Sequence, residues 1–237
     1  MVPGDRMPSS EQGLGDGTTL AGAVCAAARP KEEPRMPQLD LRPAAQRMSR
    51  LLEGAPDSAL NAETPCRDCP LDQLIDHVGA MATAFTAAAH KDLGEMTSQA
   101  PVPQPGRLEP GWRARIVGDL TALGEAWQAP SAWEGMTQAG GLDLPGEVAG
   151  RVVLDELVVH GWDVARASGQ PYECDDASLE EVEATVREFR GDNDGEMPGL
   201  FGPRVAVPDD APPLHRVLGL TGRDPAWSAP PPSDASR

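Results

Sequence analysis

The sequence predicts an all-α protein: an antiparallel four-helix bundle with an extra C-terminal helix and an irregular tail. Apolar residues recur at the 3.6-residue period over four long segments. Hydrophobic residues make up 40% of the chain but aromatics only 4%, so a core must be built from Ala, Leu and Val. Such a core suits packed helices better than a β-sandwich, which draws on Tyr, Phe, Ile and Thr. The stretches between the periodic segments are rich in Gly and Pro, as turns between antiparallel neighbours require.

The first helix is expected from about Leu41 to Glu53, with Asp40 as N-cap and Gly54 and Pro56 as stop. The second runs from about Pro70 to Lys91 on the stripe Leu71, Leu74, Ile75, Val78, Met81, Ala82 and Phe85. Pro70 suits a first helical position and Asp72 the positive end of the helix dipole. The third runs from about Pro110 to Gln128, with Trp112, Ile116, Leu120, Leu123 and Trp127 inward. Residues 129–146 form a connection with one short extended piece near Leu142 to Leu144. The fourth long helix runs from about Gly146 to Ala167 and stops at Gly169. A further helix opens at Ser178-Leu179-Glu180-Glu181, read as a capping box. A short helical piece near Leu214 to Leu220 sits in the Pro-rich remainder. Residues 1–37 are read as a disordered extension, 38–170 as the bundle and 171–237 as a C-terminal helix and tail packing on it.

A net charge of −17 argues against nucleic acid and anionic membrane as partners, since both need a basic footprint. No apolar run approaches the ~20 residues of a membrane span. The apolar stretch Leu20 to Ala28 is short and follows Asp5, Glu11 and Asp16, so it is not read as a signal peptide. The expected location is the cytoplasm, with Cys25, Cys66, Cys69 and Cys174 reduced. Cys66 and Cys69 have Cys-x-x-Cys spacing, but no second such pair exists, so neither a zinc knuckle nor a redox motif is assigned.

The chemistry lies in the fourth long helix. Glu156 and His160 are four residues apart and so share one face. At about 100° per residue, Glu156, His160 and Asp163 fall in a sector roughly 60° wide, bounded by valines. Arg151, Asp155 and Arg166 fall elsewhere and define the expected solvated side. Buried ionisable groups are costly unless paired or bound to metal. A divalent metal held by Glu156, His160 and a donor from another helix meets that demand, and His77 on the flank of the second helix is the best third donor. The bland alternative is a hydrogen-bonded Glu156–His160 pair with a structural His77. Asp163 is the catalytic candidate, orienting a ligand histidine or taking a proton. Two imidazoles and a carboxylate suit zinc, and also nickel, iron or manganese. Arg113, Arg115 and Arg166 are available as clamps for a small-molecule substrate.

Three pieces resemble one family. Thr64-Pro65-Cys66 precedes the helix carrying His77, the block Glu156-Leu-Val-Val-His160-Gly-Trp-Asp163 follows, and Phe201-Gly-Pro-Arg-Val-Ala-Val-Pro-Asp-Asp210 lies in the tail. Together they resemble the mycothiol-dependent maleylpyruvate isomerase-like proteins of actinobacteria, within the DinB/YfiT-like metalloenzymes. The resemblance implies a four-helix bundle holding a divalent metal, typically zinc, at the positions of His77, Glu156 and His160. It also implies mycothiol as a cosubstrate. The chain departs from the family pattern in having Cys69-Pro70 where a Trp often follows the Thr-Pro-Cys, and in a shorter C-terminal region. The function expected is a zinc-dependent enzyme activating a low-molecular-weight thiol for isomerisation or S-transfer on a small electrophile. A non-enzymatic metal- or small-molecule-binding bundle and a zinc hydrolase are the alternatives.

Overall fold

In the computed structural model of the chain, which describes residues 39–67, 69–100 and 105–229, helix dominates. The expected disorder of residues 1–37 lies outside the described residues. The elements are α1 (Arg42–Gly54), a single 3₁₀ turn (Asp57–Ala59), α2 (Leu71–His90), α3 (Trp112–Ala126), α4 (Pro130–Trp133), β1 (Met136–Ala139), β2 (Leu142–Pro145), α5 (Gly146–Ser168), α6 (Asp176–Arg190) and α7 (Pro213–Leu220). The chain is therefore mostly helical rather than all-α. The correction is the antiparallel hairpin of β1 and β2, with Met136 opposite Pro145 and Ala139 opposite Leu142.

The four long helices arise where the apolar period placed them. Ala44, Ala45, Met48, Leu51 and Leu52 form the buried stripe of α1. Leu71, Leu74, Ile75, Val78, Met81, Ala82 and Phe85 do the same for α2, and Trp112, Ile116, Leu120 and Leu123 for α3. α1 packs on α3 and α5, and α2 packs on the same two helices. The Trp127 indole is fully buried and donates to the Phe85 carbonyl at 3.2 Å, which satisfies its only polar atom inside the core.

Three caps differ from expectation, the first being Pro70, which is the N-cap of α2 and not its first helical residue. Leu41 occupies the N-cap of α1, and Asp40 acts from one residue further out, its Oδ1 accepting the Arg42 N–H at 3.0 Å. The N-cap of α6 is Asp175 rather than Ser178: Asp175 Oδ1 accepts the Ser178 N–H at 2.9 Å and Oδ2 accepts the Ser178 hydroxyl at 2.9 Å. The charged acceptor wins the position, because a carboxylate binds an N-terminal N–H more strongly than a hydroxyl does.

Only the second strand of the hairpin was expected. Gly140 and Gly141 form its turn with φ of 58° and 79°, the left-handed backbone a two-residue hairpin loop needs. The Thr137 hydroxyl fastens β1 to the end of α2 by donating to the Ala88 carbonyl at 2.6 Å.

The surroundings of α5 position the site. It packs against α1, α2, α4, α6 and both strands, so residues on nearly every side of it are buried. The expected solvated side holds at Arg166, which is exposed, and is corrected at Asp155 and Arg151. Asp155 is buried at 8% exposure, and Arg151 reaches α6, pairing with Glu181 at 2.9 Å and Glu188 at 2.8 Å. The cause is the chain after residue 170, which covers a face that the wheel alone would assign to water.

Candidate metal centre

Glu156 and His160 stand one turn apart on α5, and His77 faces them from α2. The His77 Nε2 and the His160 Nε2 each lie 3.2 Å from the same oxygen, Glu156 Oε2. The two imidazoles meet edge to face with centroids 5.1 Å apart. One donor atom from each of the three residues falls within 4.8 Å of the others, the spacing a single cation can bridge. The side chains of His77, Glu156 and His160 keep 17%, 25% and 12% exposure, so the group opens to solvent on one side.

The far side of His160 is closed. Its Nδ1 lies 3.0 Å from Asp163 Oδ2, and Asp163 has no exposed surface. Arg223, from the segment after α7, places Nη2 3.0 Å from the same carboxylate oxygen and Nη1 2.9 Å from the Thr221 carbonyl. An Nδ1–H donated to Asp163 fixes the tautomer that leaves the His160 Nε2 lone pair directed at Glu156 and His77, as a ligating imidazole requires. The donor set and this support fit a divalent cation.

Charge shifts follow the geometry. Burial pushes the Glu156 carboxyl up, but the His160 and His77 imidazoles outweigh it and hold the group well below the usual carboxylate range. Burial pushes the His160 imidazole down, yet the Glu156 and Asp163 carboxylates carry it up to about 10. Asp163 is lowered because Arg223 and His160 overcome its burial. Asp155 is pushed up to about 7, first by burial and then by the neighbouring Glu156 charge. The Cys66 thiol is lowered by the neighbouring Cys69 thiol, against burial, with His160 and Arg223 adding to the fall.

The structure thus brings together His77, Glu156, His160 and Asp163. It leaves His90 and His215 exposed at other places. The proposed clamps are engaged elsewhere: Arg113 pairs with Asp57 at 2.8 Å, Arg115 with Asp119 at 3.3 Å, and Arg166 donates to the Trp227 carbonyl at 2.6 Å. Three site neighbours escaped the sequence reading. Arg223 sits beyond the last helix with no spacing to link it to α5. Asp155 was assigned to water. Cys66 enters a second group with His160 and Asp163, whose donor atoms also lie within 4.8 Å of one another. The Thr-Pro-Cys segment before α2 was the one available signal for it.

Two imidazoles and one carboxylate gathered from two helices, with a buried carboxylate behind one ring, are a donor set of the kind that helical bundles build in their cores. Residues 41–165 match the family described as mycothiol maleylpyruvate isomerase N-terminal domain. This is more than half of the 237 residues, and the chain belongs to that family. Among its relatives is a protein of Mycobacterium tuberculosis, "Uncharacterized protein Rv0738" in strain H37Rv and "Uncharacterized protein MT0763" in strain CDC 1551. It is 27% identical over 183 residues, covering 73% of this chain and 90% of the relative. The crystal structure of the mycothiol-dependent maleylpyruvate isomerase shares the fold at a TM-score of 0.50, with 19% identity over 65% of this chain and 70% of that one.

Proposed function

We propose that the protein is a metal-dependent enzyme that uses a low-molecular-weight thiol of the mycothiol type on a small electrophilic substrate. The supporting observation is the convergence of the His77 and His160 Nε2 atoms on Glu156 Oε2, open to solvent on one side. In this reading α1, α2, α3 and α5 constitute the four-helix bundle, within residues 38–170, and α6, α7 and the segment carrying Arg223 pack on it. His77, Glu156 and His160 hold the cation, most simply zinc. Bound there, zinc would lower the pKa of a coordinated thiol and so supply a thiolate at neutral pH.

The chain's own residues do the rest. Asp163 keeps the proton on His160 Nδ1 and orients the ring; its depressed pKa and its ion pair with Arg223 make it a positioning group rather than a proton acceptor. Asp163 and Arg223 close the site behind His160, so in this reading a substrate enters past His77 and Glu156, the more exposed side. Isomerisation results if the thiol leaves again after adding, and S-transfer if it stays. A reducing cytoplasm suits such a thiol reaction.

Elemental analysis of the purified protein, with thiol-dependent isomerisation of maleylpyruvate as the activity, tests the reading. One zinc per chain is expected, falling below about one tenth occupancy in His77→Ala and Glu156→Gln, with helicity retained by circular dichroism. Full occupancy in His77→Ala would remove α2 from the site.

A further inference from the structure

Two cysteines close one tight turn at the edge of this site, where Cys66 approaches His160 and Asp163. Thr64 draws the chain around them: its hydroxyl donates to the Cys69 carbonyl at 2.7 Å and approaches the Cys66 carbonyl at 3.0 Å. The same oxygen accepts the Cys66 N–H at 3.1 Å, and the Cys69 N–H donates to the Cys66 carbonyl at 3.3 Å. The turn so closed holds Cys66 and Cys69 at its two ends, and each side chain bears on the charge of the other. Both are free thiols. Cys66 is half-buried and reachable, whereas Cys69 is 7% exposed and packed in the core just before α2. A single cysteine in a wall packs as a small hydrophobe. Cysteines at the first and last positions of one turn have Cα atoms less than about 7 Å apart, the separation a disulfide bond can span by side-chain rotation.

We propose that Cys66 and Cys69 form a dithiol site for exchange with a low-molecular-weight disulfide, Cys66 attacking and Cys69 resolving. The Cys66 thiolate attacks one sulfur of the disulfide R–S–S–R. Its S–S bond breaks, a Cys66–S–S–R bond forms, and one RS⁻ leaves, taking up the proton Cys66 gave. Cys69 then loses its proton and attacks the Cys66 sulfur, and the second R–S group leaves as RSH. The protein dithiol is oxidised by two electrons, and the disulfide is reduced to two thiols. Burial assigns the roles, because only Cys66 is open to a molecule from outside. The pair stands on its own geometry and requires no metal.

The test uses the full chain in a Cys25→Ser background, metal-free and zinc-loaded, with oxidised glutathione as probe. Products are alkylated and mapped by mass spectrometry. A Cys66–Cys69 disulfide, reversed by dithiothreitol, is expected in both metal states. Cys69→Ser should accumulate glutathione on Cys66, and Cys66→Ser should leave Cys69 unmodified. The half-buried Cys174 serves as the internal standard, with Cys66 reacting at least about tenfold faster. Glutathione remaining on Cys66 of the parent chain without an internal disulfide, or Cys66 reacting no faster than Cys174, would overturn the proposal. Disulfide formation in a protein that takes up no zinc would instead count against the metal reading alone.

Discussion

His160 is the residue on which the local charges converge, and its ring nitrogens serve different neighbours: Nε2 faces Glu156 and Nδ1 faces Asp163. In the metal-free protein those carboxylates, against burial, carry its pKa up to about 10. A raised histidine pKa contributes stability that is fully present below the unfolded value of ~6.5 and is lost as pH rises through the folded one. Metal-free protein should therefore lose melting temperature between pH 6.5 and 10 relative to a His160→Gln variant. A parallel course of the two curves would show that the ring is not held by its carboxylates. A ligating imidazole must be deprotonated, so zinc uptake at pH 7.5 should also release close to one proton from this ring. Calorimetry in buffers of different ionisation enthalpy measures it. His77, Glu156 and His160 were legible because four-residue spacing and an apolar stripe fix which side of a helix a residue takes. Asp155 was not, because a helical wheel reports directions and not what the rest of the chain lays over them.

At the scale of elements, α5 departs from an ordinary amphipathic helix. Glycine lets the aromatic residues of its neighbours lie against its backbone. At Gly150 an added Cβ would fall 2.9 Å from Trp127 Cζ3 and closer still to Trp133, whose rings meet edge to face 5.0 Å apart. Both indoles are anchored, Trp133 Nε1 donating to the Trp127 carbonyl at 2.8 Å and Trp127 Nε1 to the Phe85 carbonyl, so neither ring yields easily. Gly150→Ala should destabilise by about 1–3 kcal/mol through overpacking, despite alanine's better helix propensity. Urea unfolding reads the difference, and a stabilised variant would mean that the ring pair shifts freely. Helix existence was legible from the apolar period in α1, α2, α3 and α5. The β1 strand was not, since Met136–Ala139 carries no alternation and is held by partners distant in sequence, Thr137 on the Ala88 carbonyl and Gln138 on the Thr97 hydroxyl.

Across the whole molecule, the family match ends at residue 165, yet the site does not. Arg223 returns from beyond α7 to pair with Asp163, and Thr221 beside it is fully buried. Folding of the C-terminal segment and the alignment of His160 are thus joined through one buried carboxylate. Removing one member of such a pair leaves the other charge buried without its partner, which costs about 3–5 kcal/mol, whereas removing both together can be nearly neutral. Arg223→Met should therefore destabilise strongly. Asp163→Asn should do the same and also weaken zinc binding roughly 10–100-fold, because His160 loses the acceptor that sets its tautomer. The double variant should recover stability relative to either single one, while zinc affinity stays at the level of Asp163→Asn. Chemical denaturation and chelator competition on the four proteins separate the two effects. Additive losses of stability would show that Arg223 and Asp163 act independently, and undiminished affinity in Asp163→Asn would detach the buried carboxylate from the metal centre.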